Sequence, residues 1–165
     1  MKYLQTIPSP IGNLTVSSDG ENILGLWIEG QKYFARNLGK DVSEENLSIF
    51  ENVREWLGIY FGGNEPNFAL SVKPQGSPFQ KSVWDILRQI PYGKTTSYGE
   101  IAKQIEVQNG GKRTSARAVG GAVGHNPVSI LIPCHRVVGK NGALTGYAGG
   151  ISKKIQLLAI EGVKV

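Results

Sequence analysis

Residues 97–123, SYGEIAKQIEVQNGGKRTSARAVGGAV, decide the fold. Ser97 can cap a helix with Glu100 three residues on, the capping-box spacing, and Ile101 and Ile105 give that helix an inward face through about Glu106. Asn109-Gly110-Gly111 breaks the chain, and another helix is expected from about Ser115 to Val123. Two short helices around a glycine-rich turn in a basic region predict a helix-turn-helix, with a connection longer than the usual three or four residues. The second helix has little bulk. Ala116, Ala118, Gly120, Gly121 and Ala122 leave Arg117 as its one long side chain, although glycine inside a helix costs about 1 kcal/mol relative to alanine. Either this face packs on a neighbouring helix, or it presses into a narrow groove such as a DNA minor groove, about 6 Å wide. In the second case Arg117 is long enough to enter the base stack.

Upstream, Ser77, Pro78 and Gln80 combine a capping box with proline at the first helical position. Phe79, Val83, Ile86, Leu87 and Ile90 form the buried stripe of that helix, and Pro91-Tyr92-Gly93 stops it. Val72–Ser77 reads as a linker, which divides the chain into residues 1–72, a connection at 73–77 and residues 78–165. The first segment opens with strand-like runs at Tyr3–Ile7, Gly12–Ser17 and Asn22–Ile28. A helix follows, expected to be capped by Asp41 with Glu44 and to carry Leu47, Phe50, Val53, Leu57 and Tyr60 on one face. No chemical constellation stands out in this half, and scaffolding is its expected job. A last helix is expected at Ser152–Glu161. The fold class is therefore α/β (α+β), with a small strand-bearing N-terminal domain and a helical C-terminal one.

Charge separates the same two halves. The chain has 165 residues, 18 Lys and Arg against 13 Asp and Glu, and a net charge of +5. Residues 1–72 hold five basic and nine acidic side chains, net −4, and residues 73–165 hold thirteen and four, net +9. A half-chain so basic points to a polyanionic partner, nucleic acid foremost. The single cysteine, Cys134, excludes an intramolecular disulfide and a multi-cysteine zinc site. No apolar stretch approaches the ~20 residues of a membrane helix. The N-terminus carries no apolar signal-peptide core, so the cytoplasm is the expected location.

Chemistry concentrates in Ile130–Gly139, ILIPCHRVVG. A lone cysteine is more often a buried apolar residue than a nucleophile. Here, however, Pro133 precedes it and His135 and Arg136 follow, both groups that lower a thiol pKa. Neighbouring side chains on a strand point to opposite faces, so either the chain turns at Cys134 or a water relays the proton to the imidazole. A histidine base needs an acceptor to orient it. Glu161 is the candidate, because a carboxylate in the last turn of a helix opposes the helix dipole and calls for a cationic partner.

Pro133-Cys134-His135-Arg136-Val137, with Asn126-Pro127 before it, resembles the active-site signature of the O6-alkylguanine-DNA alkyltransferases. Pro91-Tyr92-Gly93 through Ser97-Tyr98, Arg117–Ala122, Gly146–Gly150 and Leu157–Gly162 resemble further family segments in family order, together covering residues 77–162. The resemblance implies a ribonuclease-H-like N-terminal domain and a winged helix-turn-helix-like catalytic domain. It implies irreversible, single-turnover transfer of an alkyl group from O6 of guanine, less efficiently from O4 of thymine, in duplex DNA to Cys134, with the nucleotide flipped. His135 is then a water-mediated base, Glu161 its orienter, Asn126 the residue ordering the turn, and Tyr98 a proton donor at guanine N3. DNA contacts fall to Arg117, Thr95, Ser97, Ala116, Gly120, Gly121 and Arg136. Substrate contacts fall to Tyr147, Ala148, Gly149 and Val137. Ala148 stands where relatives often carry serine, which leaves only a backbone N–H for guanine O6. No cofactor is implied, the absence of cysteine or histidine before His125 argues against a zinc site, and a monomer is expected. A cysteine hydrolase, a DNA-binding regulator without chemistry and a zinc deaminase fit less well; the deaminase lacks its second cysteine.

Overall fold

The computed structural model describes residues 1–35 and 38–164. Strands β1 (Lys2–Ile7), β2 (Leu14–Ser18) and β3 (Ile23–Ile28) pair antiparallel in sequence, and the short β4 (Val42–Ser43) adds parallel to β1, giving the order β3-β2-β1-β4. β3 is buried along its whole length, although it lies at the end of the sheet. Its outer edge is covered by backbone pairing, which removes the hazard of an open strand. Leu26 N–H donates to Pro127 O at 2.8 Å and Ser129 N–H donates to Leu26 O at 2.9 Å. The sheet thus grips the chain immediately after Asn126. The connecting segment is held in the same way: Lys73 N–H donates to Ile23 O at 2.9 Å and Val72 bridges Ile23.

Helix α1 (Ser48–Phe61) buries Phe50, Val53, Leu57 and Tyr60 as its spacing dictates. Its expected start is wrong. The N-cap is Leu47, with no side-chain cap. Residues 42 and 43 are drawn into the sheet beside Lys2 and Tyr3, and Asp41 faces the N-terminal ammonium at 3.6 Å. Strand pairing has taken the segment that the capping box needed.

The basic half contains α2 (Pro78–Leu87), the short β5 (Thr96–Ser97), α3 (Tyr98–Gln108) and α4 (Ala116–Gly124). Beyond a 3₁₀ turn at Cys134–Arg136 come β6 (Val137–Val138), parallel to β5, and α5 (Ile151–Ile160). Ser77 and Gln80 make the reciprocal capping box on α2. Ser97 and Ser115 cap α3 and α4 by accepting from Glu100 N–H and Ala118 N–H. Trp84 Nε1 donates to Ala122 O at 2.8 Å and locks α2 against α4. The apolar core is continuous, from Leu14, Val16 and Ile23 through Phe50 and Trp84 to Val119 and Leu157. Among the described residues no helix is long and apolar enough to cross a membrane.

Candidate active site

The path into the site begins with the Asn126-Pro127 turn, pinned by β3. Asn126 is buried. Its Nδ2 donates to Ile132 O at 2.8 Å and its Oδ1 accepts from Val128 N–H at 2.9 Å, so one amide closes the loop that leads to the cysteine. Inside that loop Ile130 holds φ +72°. A β-branched residue adopts this conformation only where its surroundings over-determine it. The chain then turns at Cys134 in a 3₁₀ conformation, the first of the two arrangements open to a Cys-His pair. Cys134 is 3 % exposed and lies at a cavity of about 280 Å³ lined by Gly120, Gly121, Val123, Gly146, Tyr147 and Ala148 among others.

Behind the turn His135 Nε2 lies 2.5 Å from Glu161 Oε2, both side chains fully buried. Glu161 also accepts from Tyr60 O–H at 2.6 Å, Arg136 Nε at 2.8 Å and Gly93 N–H at 2.9 Å. Gly93 sits at φ +76°, and an added Cβ would stand 3.3 Å from Glu161 O, so this donor position suits glycine. Burial pushes the Glu161 carboxyl up, but the hydrogen bonds and charge of His135, with Arg136 and Tyr60, outweigh it and hold the pKa down at about 2. Burial lowers the pKa of His135, against the pull of Glu161. The Tyr60 hydroxyl is raised by burial and by the facing carboxylate. His135 Nδ1 is buried and has no hydrogen-bond partner among the described residues.

Two expectations are overturned here. Arg136, assigned to DNA, is only 8 % exposed; its guanidinium is spent on Glu161, on Ile90 O at 2.7 Å and on the Tyr92 ring. Nor do His135 and Arg136 draw the thiol pKa down. Burial pushes the Cys134 thiol up, opposed chiefly by a hydrogen bond from Asn126 and by the charge of Lys154. Lys154 on α5 is 0 % exposed, and its Nζ donates to Val137 O at 2.5 Å and Thr145 O at 3.3 Å, joining the cysteine turn to the following loop. The same burial lowers the lysine's own pKa, and Cys134 raises it.

The remaining predicted residues divide in two. Tyr147, Ala148, Gly120 and Gly121 meet around the cavity. The Tyr147 hydroxyl is buried beside Cys134 and Ser129, and burial raises its pKa far above the ordinary phenol value. Gly149 has no room for a Cβ, which would stand 2.9 Å from the Tyr147 ring and 3.0 Å from Ile28. Val137 is buried in β6, with its carbonyl on Lys154, and is not among the residues that line the cavity. Tyr98 stands to one side, its ring against Gly120 and its hydroxyl accepting from Thr145 Oγ1 at 3.2 Å. Ala116, Arg117, Ala118 and Gly121 are exposed along α4, with Thr95 exposed and Ser97 half-buried ahead of α3. Among the described residues no three His, Cys, Asp or Glu side chains cluster as a metal site would require.

Sequence reasoning missed contributors from the acidic half. Tyr60 lies 101 positions from the carboxylate it serves, and Lys32 and Tyr33 line the Cys134 cavity. A lone hydroxyl closing the apolar stripe of α1 was the one local sign of Tyr60. Nothing local marked Lys154.

Comparison with known proteins identifies the family. The profile of the 6-O-methylguanine DNA methyltransferase ribonuclease-like domain matches residues 2–74, and that of the 6-O-methylguanine DNA methyltransferase DNA binding domain matches residues 78–163. The chain belongs to this family. A methylated-DNA--protein-cysteine methyltransferase of Mycolicibacterium paratuberculosis is 45% identical over 157 residues, covering 95% of this chain and 90% of the relative. One from Haemophilus influenzae is 42% identical over 96% of this chain and 86% of its own. Among solved structures, Mycobacterium tuberculosis OGT in complex with DNA superposes with a TM-score of 0.84 at 42% identity, covering 96% of this chain and 92% of that one. Both halves of the family fold are therefore present, the small sheet domain and the helical part.

Proposed function

We propose that this methyltransferase-family chain repairs DNA by moving an alkyl group from guanine O6, and less efficiently from thymine O4, onto Cys134, once per molecule. The observation that carries the reading is the placement of the sulfur. It lines a cavity bounded by the bare glycine face of an exposed helix, with a buried histidine–carboxylate pair behind it. A base atom inside a duplex is out of reach of a buried sulfur, so the nucleotide is flipped into the cavity, at a cost of a few kcal/mol that a poorly paired lesion lowers. Arg117 fills the gap, and the exposed Ala116, Ala118 and Gly121 let α4 approach the sugar–phosphate edge.

The bonding supports the following proton movement. Nε2 of His135 is committed to Glu161, so Nδ1 is the basic nitrogen, and one water carries the thiol proton to it. Asn126 and the Lys154 charge favour the thiolate as it forms. Sulfur attacks the alkyl carbon in line, the carbon–oxygen bond breaks, and its electron pair leaves with guanine. Tyr98, whose oxygen accepts from Thr145, keeps its own proton to give to guanine N3, and backbone N–H groups near Ala148 face the departing O6. Cytoplasm, where a lone thiol stays reduced, suits this chemistry. Incubation with methylated duplex followed by intact-mass measurement tests the reading: one methyl group retained on Cys134 is expected. An unmodified protein that leaves the lesion in place, or turns over like a hydrolase, overturns it.

A further inference from the structure

Two cavities share a wall. Beside the one over Cys134 lies another of about 340 Å³, between Trp27, Gln31, Gln80, Trp84 and the Asn126-Pro127 turn. Tyr33 and His125 line both. Their rings are stacked, with centroids 4.1 Å apart and planes at 22°. Each half of the stack is anchored from behind. His125 Nδ1 is 2.7 Å from Gly121 O at the end of α4, and Lys32 N–H donates to Ala148 O at 2.9 Å, tying the Tyr33 segment to the loop over the substrate. Tyr33 itself holds φ +58°, a conformation uncommon for a bulky residue, and its side is 46 % exposed. A segment of the acidic half thus reaches across the reactive cavity and touches both of its lips.

We propose that Tyr33, stacked on His125, is the partition that sets the largest O6 substituent this protein accepts, and that the cavity behind it is a subsite for the far end of a bulky aromatic substituent. The proposal rests on the alkyl-transfer reading above. At about 280 Å³ the Cys134 cavity falls just short of the ~300–1,000 Å³ typical of small-molecule sites, room for a purine with a small group. A longer substituent that leaves sulfur towards the second cavity has to pass the Tyr33–His125 wall that the two cavities share. Beyond it the lining includes the nearly buried Trp27 and Trp84 and the amides of Gln31 and Gln80, so the site suits a ring that carries a polar tip.

The test uses free guanine bases, so that DNA binding does not enter. Rate constants for Cys134 alkylation by O6-methylguanine, O6-benzylguanine and a para-extended O6-benzylguanine are read by intact mass for the wild-type protein, Tyr33→Ala and Tyr33→Phe. The ratio of extended-benzyl to methyl rates rises about tenfold or more in Tyr33→Ala, while Tyr33→Phe, which keeps the ring, keeps the wild-type ratio. An unchanged or lower ratio in a folded Tyr33→Ala protein overturns the partition. If the alanine variant fails to fold, Tyr33→Leu decides: it shortens the wall, and its ratio rises by a smaller factor or the proposal falls. Wild-type protein that gains no methyl group from O6-methylguanine in duplex DNA sinks the transfer reading instead, a result separate from any shift in the ratio.

Discussion

The cluster around Glu161 and the outer face of α4 solve opposite problems. Around Glu161 every oxygen lone pair in reach is claimed, by a phenol, an imidazole, a guanidinium and a backbone amide, all under apolar cover. Along α4 the side chains are nearly absent and the surface is open. Saturation fixes a charge, as the proposed proton transfer requires; bareness leaves room for the proposed approach of DNA. Each region would fail with the other's composition. A buried carboxylate with missing partners is expensive, and bulky side chains along α4 would close the open surface.

The sharpest way to separate the two is Cys134→Ala. Alkyl transfer should vanish entirely while binding to methylated duplex persists in a gel-shift assay; residual methyl uptake by the variant would move the acceptor elsewhere. Next in size is Glu161→Ala, which strands the Arg136 guanidinium and should cost about 3–5 kcal/mol in denaturant unfolding. The intact cluster also carries a pH signature. The Glu161 carboxyl titrates at about 2 in the folded chain against the ordinary 4.5, so the unfolded chain binds the proton first. Its stabilisation, on the order of 3 kcal/mol, is complete above about pH 4.5 and drains away as pH falls towards 2. Acid unfolding that looks the same in Glu161→Gln would remove the carboxylate from this role.

On the bare side, Gly121→Leu should split stability from binding. An added Cβ there meets nothing within 4 Å, and relief of the glycine penalty should stabilise the helix by about 0.5–1 kcal/mol. Duplex affinity should nevertheless fall, and a variant both more stable and equally tight on DNA would show that α4 faces elsewhere. Smallest of all, Arg117→Ala should slow repair of duplex more than attack on a free O6-benzylguanine base. Equal losses on the two substrates would end its role as the residue that fills the vacated stack.

The sequence disclosed these regions unevenly. Helices α2, α3 and α4 announce themselves because their signals are local: Ser77, Ser97 and Ser115 each bond a backbone N–H three residues on. The pairing of His135 with Glu161 could be anticipated because a carboxylate at a helix C-terminus asks for a cation. The false cap at Asp41 shows the limit, since a strand partner forty residues away outweighed a short-range preference. Lys154 and Tyr33 matter through contacts set by the completed fold, and nothing in their own neighbourhoods in sequence carries that information; for Tyr60 the one local sign is a hydroxyl at the end of an apolar stripe. Arg136 misled for the same reason: beside a cysteine in a basic half-chain it reads as a surface cation, yet the 3₁₀ turn rotates it inward.

The pairing of Leu26 with Pro127 and Ser129 reaches beyond architecture. A strand of the acidic segment supplies backbone bonds to the turn that leads to Cys134, and its helix supplies Tyr60 to Glu161, so on the proposed mechanism the alkyl-accepting portion should not be a portable module. Recombination that joined residues 78–165 to an unrelated partner would carry the sulfur along but leave its scaffold and its acid–base clamp behind. On that mechanism a working chimera should need both segments together.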